Sequence, residues 1–231
     1  MANLLKKVAD NLIESMSSSG TITAIRAWQP ATMYEVDIYI PSVNMQKWNT
    51  IRRLKCKVGL LTYRDYTPAR WSASESACTL YIEAGHNGAG SYWVKQLGIG
   101  NSILFGPAHA APLPARAGRI LCLGDGSAMG HFMALHQLTD RNQFPIETAI
   151  CLHDDYDVPD TFVSQNPGFE LLMKPHEKSL DILEQWVTRK DLSIYTSIYI
   201  AGQISMVSGL RRKLKVLPQA QARIYAHGFW S

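Results

Sequence analysis

The sequence predicts two parts of different class: a small antiparallel β-barrel or sandwich, then an α/β part built on a parallel sheet. Three observations carry this. Five or six short runs rich in Val, Ile, Leu, Thr and Tyr, parted by turn-prone residues, fill the chain from Thr21 to about Pro114, a spacing typical of all-β units. "APLPARAG" then breaks the pattern as a linker. Beyond it, continuous apolar runs alternate with stretches of helical spacing, which implies βα units. The predicted organisation is residues 1–20 as a helix and hinge, 21–115 as the β part and 116–231 as the α/β part.

In order, Leu4, Leu5, Val8, Leu12, Ile13 and Met16 recur at helical spacing among Lys6, Lys7, Asp10 and Glu14, an amphipathic helix. "SSSG" ends it as a hinge. "TITAIRAW", "MYEVDIYI", "KCKVGLLTY", "CTLYIEAG" and "NSILFGPA" read as strands, and "SYWVKQL" as a short helix crossing between two of them. In the second part "RILCLGDG", "IETAICLHD", "FELLMKP", "SIYTSIYIAGQ" and "ARIYAHGFW" read as strands. They are apolar throughout because a parallel strand is buried on both faces. "SAMGHFMALHQLTD", "SLDILEQWVTRK" and "SMVSGLRRKLKVL" read as helices, and "DYDVPDTFVSQNPG" as a loop.

Composition narrows the function. Of 231 residues 46% are apolar and 18% charged, with a net charge of +4. That bias is too weak to argue for nucleic acid or an anionic membrane. No apolar stretch reaches the ~18 residues of a membrane span, and the N-terminus lacks the apolar core of a secretory signal. Cys56, Cys78, Cys122 and Cys151 are far apart and form no C-x-x-C pair. They read as buried reduced thiols of a cytoplasmic protein, not as a zinc site. His109, His131, His136, His153 and His176 are too dispersed for a metal centre, and no triad or paired-carboxylate pattern stands out.

Three stretches carry chemistry. In "YRDYTPARW", Arg64 and Tyr66 fall on one face of an extended segment and Thr67 on the other. Arg offers a planar donor fork for phosphate and Tyr a flat surface with a hydroxyl. The same residues suit an edge strand with an Arg–Tyr stack, closed by Pro68. In "EAGHNGAGSYW", glycines precede a helix for which Ser91 is the expected N-cap. This suits a pyrophosphate or a simple capped turn. "LGDGSAMG" is a glycine-rich turn between strand and helix, either anion-facing or merely tight; its glycines, Gly124, Gly126 and Gly130, do not follow G-x-G-x-x-G.

Taken in order, "RDYT", "HNGAGSYW", "FGPAHAA", "LGDGSAMG", "IAGQ" and "HGFWS" resemble the siderophore-interacting protein family of the ferredoxin–NADP reductase superfamily, from about Thr21 onward. The resemblance implies an FAD-binding Greek-key barrel followed by a nicotinamide-nucleotide domain. It implies that Arg64 contacts an FAD phosphate, Tyr66 packs on the flavin ring and Thr67 hydrogen-bonds near its reactive nitrogen. Ala84, His86, Gly88, Gly90 and Ser91 would hold the pyrophosphate and ribityl chain. Gly124, Asp125, Ser127 and Ala128, with Gly202 of "AGQ" and the pair Phe229–Trp230, would serve the nicotinamide side. The family pattern R-x-Y-T-x-R places its second arginine one residue before Arg70.

The implied activity passes electrons from NADH or NADPH through FAD to ferric iron in a siderophore, releasing iron(II). Alternatives are a flavin-dependent reductase or diaphorase exchanging electrons with a ferredoxin-like partner, and a non-catalytic binding module on the same fold. Arg52, Arg53, Lys55 and Lys57 would suit an anionic chelate or form a solvated basic face. The acidic "CLHDDYDVPD" favours NADH over NADPH.

Overall fold

In the computed structural model, which describes residues 17–173, 178–217 and 220–230, the chain forms two compact units. The first holds the described residues up to 27 together with Met33–Pro112. The second holds Trp28–Thr32 and the described residues from 113 onward. The helix expected at 1–16 lies outside the described residues.

The first unit is one antiparallel sheet of seven strands: β1 (Ser18–Trp28), β2 (Met33–Tyr39), β3 (Ile51–Gly59), β4 (Thr62–Tyr66), β5 (Pro68–Ser72), β6 (Ala77–Glu83) and β7 (Ser102–Ala111). Their order is β4-β3-β7-β1-β2-β6-β5. Strands β4 and β5 are therefore opposite edges of the sheet, yet Thr67 alone separates them in the chain. The sheet has to curl until its edges meet, which makes it a barrel. Alternation supplies the interior: Val36 and Ile38 on β2, with Ile40 just beyond it, Leu54 and Cys56 on β3, and Leu80 and Ile82 on β6 all belong to the core. Helix α1 (Ala89–Lys95) adds Val94 to that core.

Three expectations are corrected. "SSSG" is no hinge: Ser18, Ser19 and Gly20 pair with Phe105, Leu104 and Ile103 in β7. A Cβ on Gly20 would fall 2.4 Å from the Ile40 side chain, so the close approach of chains sets the small residue there. "KCKVGLLTY" is a hairpin, not one strand; it turns at Leu60 and Leu61, and Leu61 has a left-handed φ of 50°. Pro68 does not end a strand but begins β5, which with the hairpin brings the count to seven.

The second unit carries the parallel strands β8 (Arg119–Asp125), β9 (Ile146–Leu152), β10 (Phe169–Met173), β11 (Tyr195–Gln203) and β12 (Arg223–Trp230), in the order β10-β9-β8-β11-β12. Helices α2 (Met129–Leu138), α3 (Asp160–Gln165), α4 (Ser179–Val187) and α5 (Ile204–Val216) connect them. Short α3 lies in the stretch expected to be all loop; its Phe162 is 2% exposed, which pulls the segment onto the core. Leu121, Leu123, Ile198 and Ile200 face Leu183, Trp186, Leu210 and Leu214 of α4 and α5. On the opposite face Thr148 meets α2, with its Oγ1 3.0 Å from His136 Nε2. Cover on both faces is why these strands are continuous apolar runs.

The four cysteines are buried and none is in a disulfide. Burial pushes the thiols of Cys56, Cys78 and Cys122 far up, away from thiolate chemistry. Among the described residues no helix is long and apolar enough to cross a membrane, and no group of three or more His, Cys, Asp and Glu could hold a metal ion.

Candidate functional site

The barrel seam gathers the first set of expected residues. Arg64 and Tyr66 lie on β4, opposite Cys56 and Leu54 of β3, and Thr67 is the buried residue that crosses the seam. Arg64 is exposed, its Nη1 donating to the Tyr63 carbonyl at 2.8 Å. Tyr66 is half-buried and stacks on Trp93 of α1, with centroids 5.7 Å apart and planes 17° apart. Burial raises the Tyr66 phenol, so the hydroxyl stays protonated.

Helix α1 lies against this pair. A Cβ on Gly90 would sit 2.5 Å from the Tyr66 hydroxyl and 3.7 Å from Arg64 Cγ. Arg64, Tyr66 and the bare backbone at Gly90 are therefore one cluster, joined across an interval of sequence. The cap differs from expectation: Gly88, not Ser91, is the N-cap. Ser91 lies inside the helix, 2% exposed, with Oγ 3.2 Å from His86 Nδ1. The imidazole also occupies the space that a Cβ on Gly88 would need. Ala84 is fully buried behind them.

Arg70 follows in β5. Between Ala69, opposite Thr79, and Ser72, opposite Ala77, β5 has one residue more than β6. That is a β-bulge, and Arg70 takes a φ of 49° within it. Its guanidinium lies 5.7 Å from the Tyr81 ring centroid.

The second set lies at the carboxyl ends of β8, β11 and β12. The chain reverses its direction of sheet building between β8 and β11, the switch point where open α/β sheets take ligands. Asp125, 4% exposed, ends β8. One carboxylate oxygen accepts from Ser127 N at 3.0 Å and from its hydroxyl, and the other from Gln203 N at 2.7 Å. Asp125 is therefore directed inward, tying the β8 turn to β11. Gly202, with φ 135°, makes this possible, because a Cβ there would fall 2.5 Å from the Asp125 carboxyl group. Trp230 Nε1 donates to Ser127 Oγ at 3.2 Å, tying β12 to the same turn. Phe229 packs 5.6 Å from His131, and Gly124 and Ala128 are buried where α2 meets β8 and β11.

After β9 comes a cluster that sequence reading saw only as acidic. Tyr156 is 4% exposed and lies edge-on to Trp28, 5.9 Å away; Trp28 also meets Phe162 at 5.0 Å. The turn Trp28–Thr32 is thereby part of the second unit, and Asp157 N bonds Gln29 O at 2.7 Å. Thr32 Oγ1 donates to Asp154 Oδ2 at 3.3 Å and lies 2.9 Å from the Tyr156 hydroxyl. Trp93, His86 as a partner of Ser91, and Thr32 are the side chains of these clusters that sequence pattern left unassigned. No local signal marks them, since each meets its partner through the fold.

No family model matches the sequence, and no curated protein matches it. Solved structures do match. A siderophore-interacting protein from Acinetobacter baumannii shares 14% identity at a TM-score of 0.70, over 93% of this chain and 90% of that one. A siderophore utilization protein from T. fusca shares 16% at 0.71, over 93% and 92%. An H286L mutant of ferredoxin–NADP+ reductase from Plasmodium falciparum shares 14% at 0.67, over 90% and 96%. The chain has the two-part fold of the ferredoxin–NADP reductases: an antiparallel barrel followed by a parallel α/β unit.

Proposed function

We propose that this protein is a flavin-dependent oxidoreductase that carries electrons from NADH or NADPH through FAD to ferric iron held by a siderophore, releasing iron(II). The convergence of Arg64, Tyr66 and the Cβ-free backbone at Gly90 on the barrel seam carries the reading. An exposed guanidinium, an aromatic ring and a close backbone approach match a ligand with phosphate and planar parts. In this reading Arg64 binds a phosphate and Thr67 hydrogen-bonds the ring edge. Trp93 backs one face of Tyr66, so the other face takes the ring. His86, Gly88, Gly90 and Ser91, with Ala84 behind them, shape the surface for the pyrophosphate and ribityl chain.

On the nicotinamide side, Asp125 acts indirectly. It holds the turn of Ser127 and Ala128 against Gly202, while Phe229 and Trp230 close the edge of the site. FAD, when bound, supplies the exchange between two-electron donors and one-electron acceptors. The protein's part is binding, orientation and exclusion of water. Iron(III) is substrate here: once reduced, it is held less well by hard oxygen donors, which releases it. Arg52 and Arg53 line a cavity of about 180 Å³ with Trp48, and their charge supports an anionic chelate as the acceptor. Lys55 supports it less, because it pairs with Asp65 at 3.1 Å.

A second reading, electron exchange with a ferredoxin-like protein, is favoured by the exposed cations Arg211, Arg212, Lys213 and Lys215 on α5, although Lys213 pairs with Glu184. The test begins with colour. Protein mixed with FAD and desalted should stay yellow, and a colourless product sinks both readings. Anaerobic NADH or NADPH should then bleach the flavin. A ferric siderophore with a ferrous indicator should next report iron(II); if only a reduced or oxidised ferredoxin turns over, the second reading replaces the first.

A further inference from the structure

We propose that the second unit holds a site for a free straight-chain fatty acid, apart from the residues assigned to flavin and nicotinamide. A cavity of about 370 Å³ opens where α4 and α5 end. Small-molecule sites run from ~300 to ~1,000 Å³ and are mostly apolar. Val187 of α4, Leu210 and Leu214 of α5, and Leu192 of the short 3-10 turn Leu192–Ile194 form its walls, each at most 5% exposed. Leu192 precedes the amino end of β11. Asp125 and Gly202 stand at the carboxyl ends of β8 and β11, so the cavity belongs to the other end of the sheet.

The lining has an apolar interior and a cationic mouth. Val216, 75% exposed, carries the apolar wall out to solvent. Lys190 and Lys213 line the same cavity. Lys213 pairs with Glu184, while Lys190 pairs with Glu147 and lies 4.1 Å from the Trp186 ring centroid. These contacts hold both ammonium groups in place. Each ammonium has three donors, so one carboxylate partner leaves others for a ligand. An acyl chain takes the Leu and Val walls, and its carboxylate takes the spare donors.

Charge sets the sign of the head group. Segments 184–192 and 210–217 hold six Lys and Arg against two carboxylates, Glu184 and Asp191. Glu147 is a third, through Lys190. The net charge of the whole chain is +4, so most of its positive surplus gathers here. The dipole of α5 accounts for Lys213 and Lys215 in the last turn. It does not account for Arg211 and Arg212, which come before that turn, or for Arg189. None of these three arginines has a carboxylate partner among the described residues. An acidic protein surface would cover the cations and leave the cavity unfilled, whereas a fatty acid satisfies both.

The test is calorimetric titration of the full-length protein with hexanoate, octanoate and decanoate, each below its micelle concentration. One equivalent should bind, about fourfold more tightly for each added methylene. 1-Octanol, with the same chain and no charge, should bind about tenfold more weakly than octanoate. Lys213→Gln should weaken octanoate about tenfold and leave 1-octanol unchanged, while Val216→Ser should weaken both alike. These side chains are 63% and 75% exposed, so neither variant threatens folding. Affinity that ignores chain length, equal binding of octanoate and 1-octanol, or binding untouched by both variants overturns the proposal. Self-association that Val216→Ser abolishes, with no uptake of octanoate, makes the cavity an interface between copies and overturns it too. Protein that fails to retain FAD can still be titrated, so this proposal and the flavin reading fail separately.

Discussion

Replacing Gly202 with Ala probes the tie between β8 and β11. Gly202 sits at φ 135°, where an L side chain is strained, a cost of about 1–3 kcal/mol. The added methyl would also lie 2.5 Å from the Asp125 carboxyl group, which is buried and accepts from Ser127 and Gln203. Moving that group forfeits at least one hydrogen bond to a charged acceptor, about 1.5–3 kcal/mol. Together these give about 3–5 kcal/mol, or a fall in Tm of about 10 °C for a chain of this size. Thermal unfolding followed by circular dichroism measures it. Gly106→Ala is the control, since a Cβ there meets nothing within 4 Å; it should stay within about 0.5 kcal/mol of the parent. The Asp125→Ala background should absorb part of the Gly202→Ala cost, because the obstructing carboxylate is gone. A Gly202→Ala protein melting within about 2 °C of the parent would refute the close packing described for this turn.

Other predictions concern the seam and a half-buried histidine. Gly90→Ala should displace the Tyr66 hydroxyl and lower flavin retention, and Tyr66→Phe should partly restore it, since the next ring atom stands 3.8 Å away; additive losses in the double variant would count against the cluster. Arg64→Ala should raise the Kd for FAD about tenfold or more with little change in Tm, the residue being exposed. Burial lowers the His136 pKa to about 4, with Arg141 adding to the effect. The unfolded chain therefore binds a proton at about pH 6.5 that the folded chain refuses until about pH 4. Stability should be unaffected above pH 6.5 and fall by about 3 kcal/mol as the pH drops to 4. His136→Gln should flatten that acid limb in urea titrations; an unchanged slope would show that His136 does not cause it.

How far the sequence discloses this molecule depends on the range of the interactions involved. β8, β9 and β11 are legible because burial on both faces leaves a continuous apolar signal within each strand. The β3–β4 hairpin is not, because its turn is made of Leu60 and Leu61, 61% and 36% exposed, which look like strand interior. Gly20 looks like part of a linker because its lack of a side chain is set by the nearness of Ile40, a residue twenty positions on. At the candidate site, the Arg64–Tyr66 pairing on one face follows from strand alternation alone. That "RDYTPARW" joins the two edges of a barrel does not, since an edge is defined only by the order of the other strands. Asp154 and Thr32, 122 residues apart, could be connected only by the fold.

The turn that carries Trp28 also bears on how the chain is made. Thr32 leaves the ribosome 124 residues ahead of Tyr156, its hydroxyl partner. At about 5–20 residues per second, that is roughly ten seconds of synthesis. Through that interval the indole of Trp28, 1% exposed in the finished protein, has neither Tyr156 nor Phe162 to rest against. The early strands can pair among themselves, but the side chains of their first tight bend take their partners from the late half of the chain. A gene cut at the linker would give a C-terminal fragment with an indole-sized gap and an N-terminal fragment with a stray, sticky tryptophan. The two halves are thus poor candidates for separate production, however distinct their cores.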